Sequence, residues 1–343
     1  MWDLALGNLI SFVHCCAASC FMHRQTNVKS LQVSIDTICI AVGPSTRSQP
    51  FPTALVQLKE VRFVEALVAC VPSSAKAFTM MFPIKDGQFQ LVYNILSFSF
   101  ASMMATTLFL WMRVPAVNRK YQSALIISGM VTFIAAYHYL RIFNSWVEAY
   151  KYTASKDGMS QDPVLTGIPF NDAYRYMDWL LTVPLLLIEI VLVMKLSPEE
   201  SRSKSMTLGS SAALMIVLGY PGELIVEGNL GARWMYWAAA MLPFIYIIYE
   251  LLVGLAGATE LETDPKVKGL IRRAQVVTVL SWLTYPVVYV FPMIGFSGAG
   301  AVVAIQVGYC VSDIIAKCGV GLIIYSVTAA KSEVEKGSAL LPN

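Results

Sequence analysis

The chain has 343 residues, 56% of them hydrophobic and 14% charged, with a net charge of +3. That balance lies far from the soluble average and indicates an integral membrane protein, and so small a net charge gives no reason to expect a nucleic-acid partner. The seven cysteines show no spacing of a zinc site or a disulfide framework, so neither metal binding nor a stapled fold is expected.

Residues 1–86 read as an N-terminal extension, either a presequence or a disordered tail. Leu4 to Cys20 is apolar, but no basic stretch precedes it and the first basic residue is Arg24, which makes it a poor secretory signal. Phe63 to Ala77 is a second apolar stretch, interrupted by Glu65. No transmembrane helix is expected in this region. Seven apolar spans follow, at approximately 90–113, 121–146, 171–196, 205–226, 231–257, 269–293 and 299–330. The expected fold class is therefore an all-α membrane protein, a bundle of seven transmembrane helices over 87–332 with a short tail at 333–343. The last span is longer than a bilayer needs, so its end should project beyond the membrane. The connection from Glu148 to Phe170, with Gly158, Pro163, Gly167 and Pro169, reads as a loop.

Basic residues are divided unequally between the two sets of connections. One set carries Arg113, Arg119 and Lys120, then Lys195, Arg202 and Lys204, then Lys266, Lys268, Arg272 and Arg273, and finally Lys331 and Lys336. The other carries Lys151, Lys156 and Arg233. The positive-inside rule places the first set and the C-terminus in the cytoplasm. The third span then runs inward, with Asp178 toward the outside and Glu189 toward the cytoplasm.

The third span holds the most informative residues, in the run RYMDWLLTVPLLLIE from Arg175 to Glu189. Each charge at mid-membrane costs about 2.5–3.5 kcal/mol on insertion scales, so such residues are usually functional and paired. Arg175 and Asp178 are i,i+3 neighbours. Asp178 and Glu189 are close to three full turns apart and share a face, about 16 Å from one another along the axis. Glu189 has apolar neighbours and no cation nearby in sequence, so burial favours its neutral acid form. The last span carries DIIAK, with Asp313 and Lys317 at i,i+4. A mid-membrane lysine is costly as an ammonium, and it is the side chain that condenses with aldehydes to give Schiff bases. With that nitrogen protonated, Lys317 and Arg175 balance Asp178 and Asp313, and buried charges become tolerable.

RYMDWLLTVPLL followed by a late DxxxK resembles the microbial rhodopsins. The likeness is greatest to the proteorhodopsin and xanthorhodopsin group of light-driven proton pumps, in the form found in eukaryotic plankton such as dinoflagellates, and it covers about Phe89 to Lys331. The resemblance implies all-trans retinal bound as a protonated Schiff base to Lys317. It implies Asp178 as counterion and proton acceptor, Asp313 as second counterion, Arg175 as the coupling to the exit path, and Glu189 as proton donor. Asp178, Thr182 and Glu189 match the aspartate–threonine–glutamate pattern of proton pumps. His138 matches the histidine that pairs with the acceptor in proteorhodopsin-like pumps. Trp179, Thr182, Leu186, Trp282, Tyr285 and Pro286 correspond to pocket residues, with leucine at Leu186 accompanying green absorption. Tyr309 lies at i−4 of Asp313, within reach to donate to it. Gly219 and Glu223 also match, with no role implied. Taken singly, a buried histidine or an aromatic residue is more often plain core; the joint pattern reverses that.

The function implied is a light-driven outward proton pump, a transporter rather than an enzyme. Its partners would be protons and membrane lipid, and the family's pentamers and hexamers imply a homo-oligomer. A carotenoid antenna stays open: Ala238 to Ala240 make one face of the fifth span small, though alanine is not a glycine opening. The alternative is a photosensory rhodopsin, which commonly lacks the donor carboxylate and works through a transducer; the tail after Ala330 is too short for a signalling domain. Chloride and sodium pumps would carry different residues at the three key positions.

Overall fold

The computed structural model of the chain describes residues 82–152, 162–171, 173–225, 229–296 and 298–339. The expectations for the first 81 residues lie outside the described residues. Among the described residues, seven rods account for nearly all the structure. They are α1 (Asp86–Ala116), α2 (Arg119–Ala149), α5 (Leu230–Glu260), α6 (Pro265–Ile294) and α7 (Gly298–Gly337), with α3 (Tyr174–Leu192) and α4 (Pro198–Glu223). The five named first are long and apolar enough to cross a membrane by length and composition alone. α3 falls short because Arg175, Asp178 and Glu189 lie within it, and α4 because its start is charged and the remainder is diluted by Ser, Gly and Pro.

Local chemistry sets the helix ends. The Asn118 side chain accepts from Lys120 N at the start of α2, and that of Asn229 from Ala232 N at the start of α5. Asp264 accepts from Val267 N at 2.9 Å, with Pro265 as the first residue of α6. α4 starts seven residues earlier than its hydropathy indicates, because Ser197 and Glu200 form a reciprocal capping box around Pro198. α7 runs on past the expected tail boundary, with helical backbone to Ala339.

Successive helices pack side by side up and down, and α7 returns against α1, α2 and α6 to close the bundle. A two-stranded antiparallel ladder, β1 (Tyr150–Lys151) with β2 (Val164–Leu165), spans the described part of the α2–α3 connection. One end of the bundle therefore carries this ladder. The other carries the basic connections.

At the basic end, polar contacts fasten α7 to the α5–α6 connection and to the start of α2. Lys331 and Glu262, both nearly inaccessible, form an ion pair that joins α7 to the α5–α6 connection. Lys195 Nζ lies 3.4 Å from the other oxygen of Glu262. Glu335 accepts from Lys120 at 2.5 Å, Tyr121 at 2.7 Å and Asn118 at 2.8 Å. Removing one partner of a buried pair leaves an uncompensated charge, which costs about 3–5 kcal/mol. Lys331→Met should lower stability by about 3 kcal/mol, since Lys195 still faces Glu262. Adding Glu262→Leu should recover most of that loss in a thermal or denaturant unfolding measurement. Equal stability of single and double variants would show that the pair is not what closes this end.

Candidate functional site

α3, α6 and α7 converge on Lys317. A π-helical stretch, Ile314–Gly319, interrupts α7 there. One extra residue in a turn re-aims the side chains around it, and such bulges concentrate at functional sites. Lys317 Nζ lies 2.8 Å from Asp313 Oδ1 and 3.0 Å from Asp178 Oδ2, and both carboxylates are fully buried. The i,i+4 pair read from the sequence is thus made, and the helix that carries Asp178 brings the second carboxylate to the same nitrogen.

The two carboxylates are provided for very differently. Asp313 accepts from Tyr139 at 2.8 Å, Tyr285 at 2.5 Å and Trp179 Nε1 at 3.2 Å. For Asp178, no hydrogen-bond donor among the described residues reaches either oxygen beyond its ion pair with Lys317. Thr182, one turn on, donates to the Asp178 carbonyl at 2.8 Å rather than to its carboxylate. His138 is turned toward its own helix, with Nδ1 2.9 Å from the Ile134 carbonyl, and forms no hydrogen bond to Asp178. Arg175 is buried on the side toward the ladder end. It donates to Tyr139 at 3.0 Å and to Gln306 at 2.5 Å, and its guanidinium lies over the rings of Tyr139 and Tyr309.

Lys317 also ends an apolar cavity of about 730 Å³, mouth included. Trp179, Leu186, Trp282, Tyr285, Pro286 and Tyr309, all read from the sequence, line it, and Gly219, Trp237 and Tyr289 extend the wall. Thr182 is buried but is not part of this wall. Tyr309 packs its ring against Trp179 at 5.2 Å and Tyr285 at 5.9 Å. Lys317 is the one charged side chain on the described lining. A primary amine at the end of an aromatic slot, with two carboxylates beside it, fits a long apolar aldehyde bound through that nitrogen.

A sequence profile described as bacteriorhodopsin-like protein matches residues 90–331. The chain belongs to the microbial type 1 rhodopsins. It is 28% identical over 232 residues to the green-light absorbing proteorhodopsin of Gamma-proteobacterium EBAC31A08, covering 68% of this chain and 84% of that protein. It is 33% identical over 180 residues to the bacteriorhodopsin of Halobacterium salinarum, covering 50% of this chain and 64% of that protein. Among solved structures, xanthorhodopsin, described as a light-driven ion pump with dual chromophore, superposes with a TM-score of 0.69 at 42% identity. That match covers 75% of this chain and 99% of the other.

In this rhodopsin, Glu189 stands apart from the Lys317 cluster. It is fully buried, Ser128 donates to its Oε2 at 2.6 Å, and its Oε1 has no partner. Gly321, one turn beyond Lys317 on α7, packs against the same place: a Cβ built there would lie 3.8 Å from Ser128 Cβ. Glu189 therefore lies on the basic-end side of the lysine, near the level of Gly321. Glu223, which matched the family without a role, pairs with Arg233 at 3.0 Å. Arg233 also donates to the carbonyls of Gly222, Ile225 and Tyr289, tying α4, α5 and α6 together at the ladder end.

Sequence reading missed Tyr139, Gln306 and Ser128. Each is a neutral polar residue on a buried helix face, but its partner lies on another helix, so no local spacing signals the pairing. Tyr139→Phe and Tyr285→Phe should each lower thermal stability by about 1–2 kcal/mol, since both donate to one buried carboxylate. Because they share that acceptor, the double variant should depart from the sum of the singles by about 0.5 kcal/mol or more. Strict additivity would show that Asp313 does not depend on the two jointly.

Proposed function

We propose that this chain is a light-driven pump that moves protons outward across a membrane, with all-trans retinal held covalently through Lys317. The observation that carries the reading is the unequal provision for the two carboxylates beside that lysine. A proton arriving at Asp178 displaces no hydrogen bond, whereas at Asp313 it would compete with Tyr139, Tyr285 and Trp179. Asp178 is accordingly the acceptor, and Asp313 is the standing counterion that keeps the site neutral. Arg175, a delocalised cation that keeps its charge when buried, lies on the ladder side and couples the acceptor to the exit.

Retinal bound at Lys317 supplies the absorption of light and the change of shape that drives the proton off the nitrogen. The chain's own residues give that movement its direction. Asp178 takes the proton on the ladder side. Glu189 returns one from the basic side, where it is buried, has one hydroxyl donor and has no ion-pair partner among the described residues. The positive-inside rule makes the basic end cytoplasmic, so the C-terminus is cytoplasmic and transport is outward. His138 is a candidate modulator of Asp178 that would have to turn from the Ile134 carbonyl to reach it.

Leu186 on the cavity wall accords with absorption toward green. The kinship with eukaryotic plankton forms and the homo-oligomer rest on the sequence resemblance. For a carotenoid antenna, the small face at Ala238 to Ala240 is represented on the wall by Ala240, and the bulky Trp237 stands beside it, donating to the Pro286 carbonyl at 3.1 Å. That arrangement favours retinal as the single pigment.

The decisive experiment is illumination of cells that express the full chain with added all-trans retinal. The medium should acidify, and a protonophore should abolish the change. Asp178→Asn should remove transport and shift the colour. A coloured protein that produces no pH change at neutral or alkaline pH would instead support the photosensory reading. Glu189→Gln should slow the late phase of the photocycle about 100-fold, with added azide restoring it. An unchanged late phase would take Glu189 out of the path.

A further inference from the structure

Two buried side chains on α6 play no part in the arrangement above. Thr278 is fully buried and Gln275 is 5% exposed, yet neither Thr278 Oγ1 nor Gln275 Nε2 has a hydrogen-bond partner. Thr278 differs from its own kind in this bundle. The buried threonines Thr106, Thr107, Thr132, Thr182, Thr259 and Thr328 each donate to a carbonyl of their own helix. That is the ordinary way a threonine hydroxyl is satisfied within a helix. Thr278 forgoes it, so its hydroxyl is left to serve a partner outside α6.

Position gives that choice a meaning. Thr278 stands one turn from Trp282, on the cavity wall, and Gln275 stands a further turn toward the basic end. The two are i,i+3 and share a face. α6 packs against α7 and α3. On α3, Glu189 lies one turn beyond Leu186, another wall residue, and its Oε1 is likewise unpartnered. Three side chains from two packed helices therefore leave an oxygen or nitrogen unsatisfied in the stretch between the cavity and the basic end. Buried polar atoms of this kind are usually satisfied by internal water.

We propose that Thr278 and Gln275 are positioning residues that hold internal water against the free carboxyl oxygen of Glu189, and that this water is the route by which protons reach that group. The inference rests on the donor role given to Glu189 above. The relay balances simply. When Glu189 gives up its proton, the adjacent water donates one to the bared carboxylate, breaking one O–H bond and forming another. That water is replenished in turn by its neighbour, and the chain ends in bulk water beyond the Lys331–Glu262 closure. One proton is carried from the basic end to Glu189, and nothing is oxidised or reduced.

The test uses the full chain reconstituted with all-trans retinal. Thr278→Val keeps the shape and removes the hydroxyl, Thr278→Ser keeps the hydroxyl, and Gln275→Leu removes the amide. Flash absorption should show the late phase slowed about tenfold in Thr278→Val and in Gln275→Leu, one hydrogen bond's worth. Thr278→Ser and added azide should restore it, with colour and early phases unchanged. A purely packing role would not separate valine from serine in this way. A second measurement holds even if a variant fails to fold: a crystal structure of the parent protein should show ordered water within hydrogen-bonding distance of Thr278 Oγ1 and Gln275 Nε2. Parent-like late phases in Thr278→Val and Gln275→Leu, beside a slowed Glu189→Gln, would overturn the water path and leave the donor role standing. A dry site in the crystal would overturn it as well. A parent-like Glu189→Gln would overturn the donor role, and the path with it.

Discussion

One lysine nitrogen between two carboxylates, all three buried, is the constraint that the rest of the bundle answers to. Each ion removed from water costs several kcal/mol even after relaxation, and mutual attraction offsets this only where geometry and further hydrogen bonds are good. The surroundings of Lys317 meet those terms on one side. Asp313 is held by two tyrosine hydroxyls and an indole, and Tyr139 also meets the Arg175 guanidinium. The same tyrosine thus links Asp313 to the second buried cation. The π-helical stretch at Ile314–Gly319 belongs to this arrangement too, because it changes the turn from which Lys317 projects.

On its other side the cluster is left incomplete. Asp178 has the lysine and little else, and Glu189 has a single hydroxyl. A protein selected only for stability would satisfy these oxygens, since an unmade hydrogen bond to a buried group costs about 1–3 kcal/mol. Unsatisfied oxygens at Asp178 and at Glu189, on the ladder and basic sides of Lys317, are instead sites that gain a proton without losing a bond. The stability withheld there is supplied at the bundle ends, by the Lys331–Glu262 and Glu335 contacts at one and by Arg233 at the other.

Much of this was legible in the sequence, and for definite reasons. Hydropathy marks seven spans because each helix must present apolar side chains over most of its length. Arg175, Asp178, Glu189, Asp313 and Lys317 are conspicuous because a charge in such a span is costly. Their spacing alone predicts the Asp313–Lys317 pair, since both lie on one helix. What spacing does not carry is orientation and company across helices. His138 is recognisable by type, but only the fold reveals that its Nδ1 meets its own helix. Ser128 and Gln306 look like ordinary small or polar residues until Glu189 and Arg175 arrive from another helix. The early start of α4 was written in Ser197, Pro198 and Glu200, but a capping box in a charged turn is invisible to a hydropathy boundary.

The division of α6 connects these observations. Its α-helical backbone is interrupted at Leu283, and Pro286 has no N–H to offer the carbonyl four residues back, so the helix is weakest beside the cavity. The ladder-end half is anchored through its backbone, where Trp237 holds the Pro286 carbonyl and Arg233 the Tyr289 carbonyl. The basic-end half carries Gln275 and Thr278, and its ion pairs, Lys268 and Arg272 with Glu260 and Lys266 with Glu333, are exposed and therefore weak. The two halves of α6 are thus held by different means, backbone carbonyls claimed by side chains at the ladder end and buried packing against α7 at the basic end, with the break beside the cavity between them.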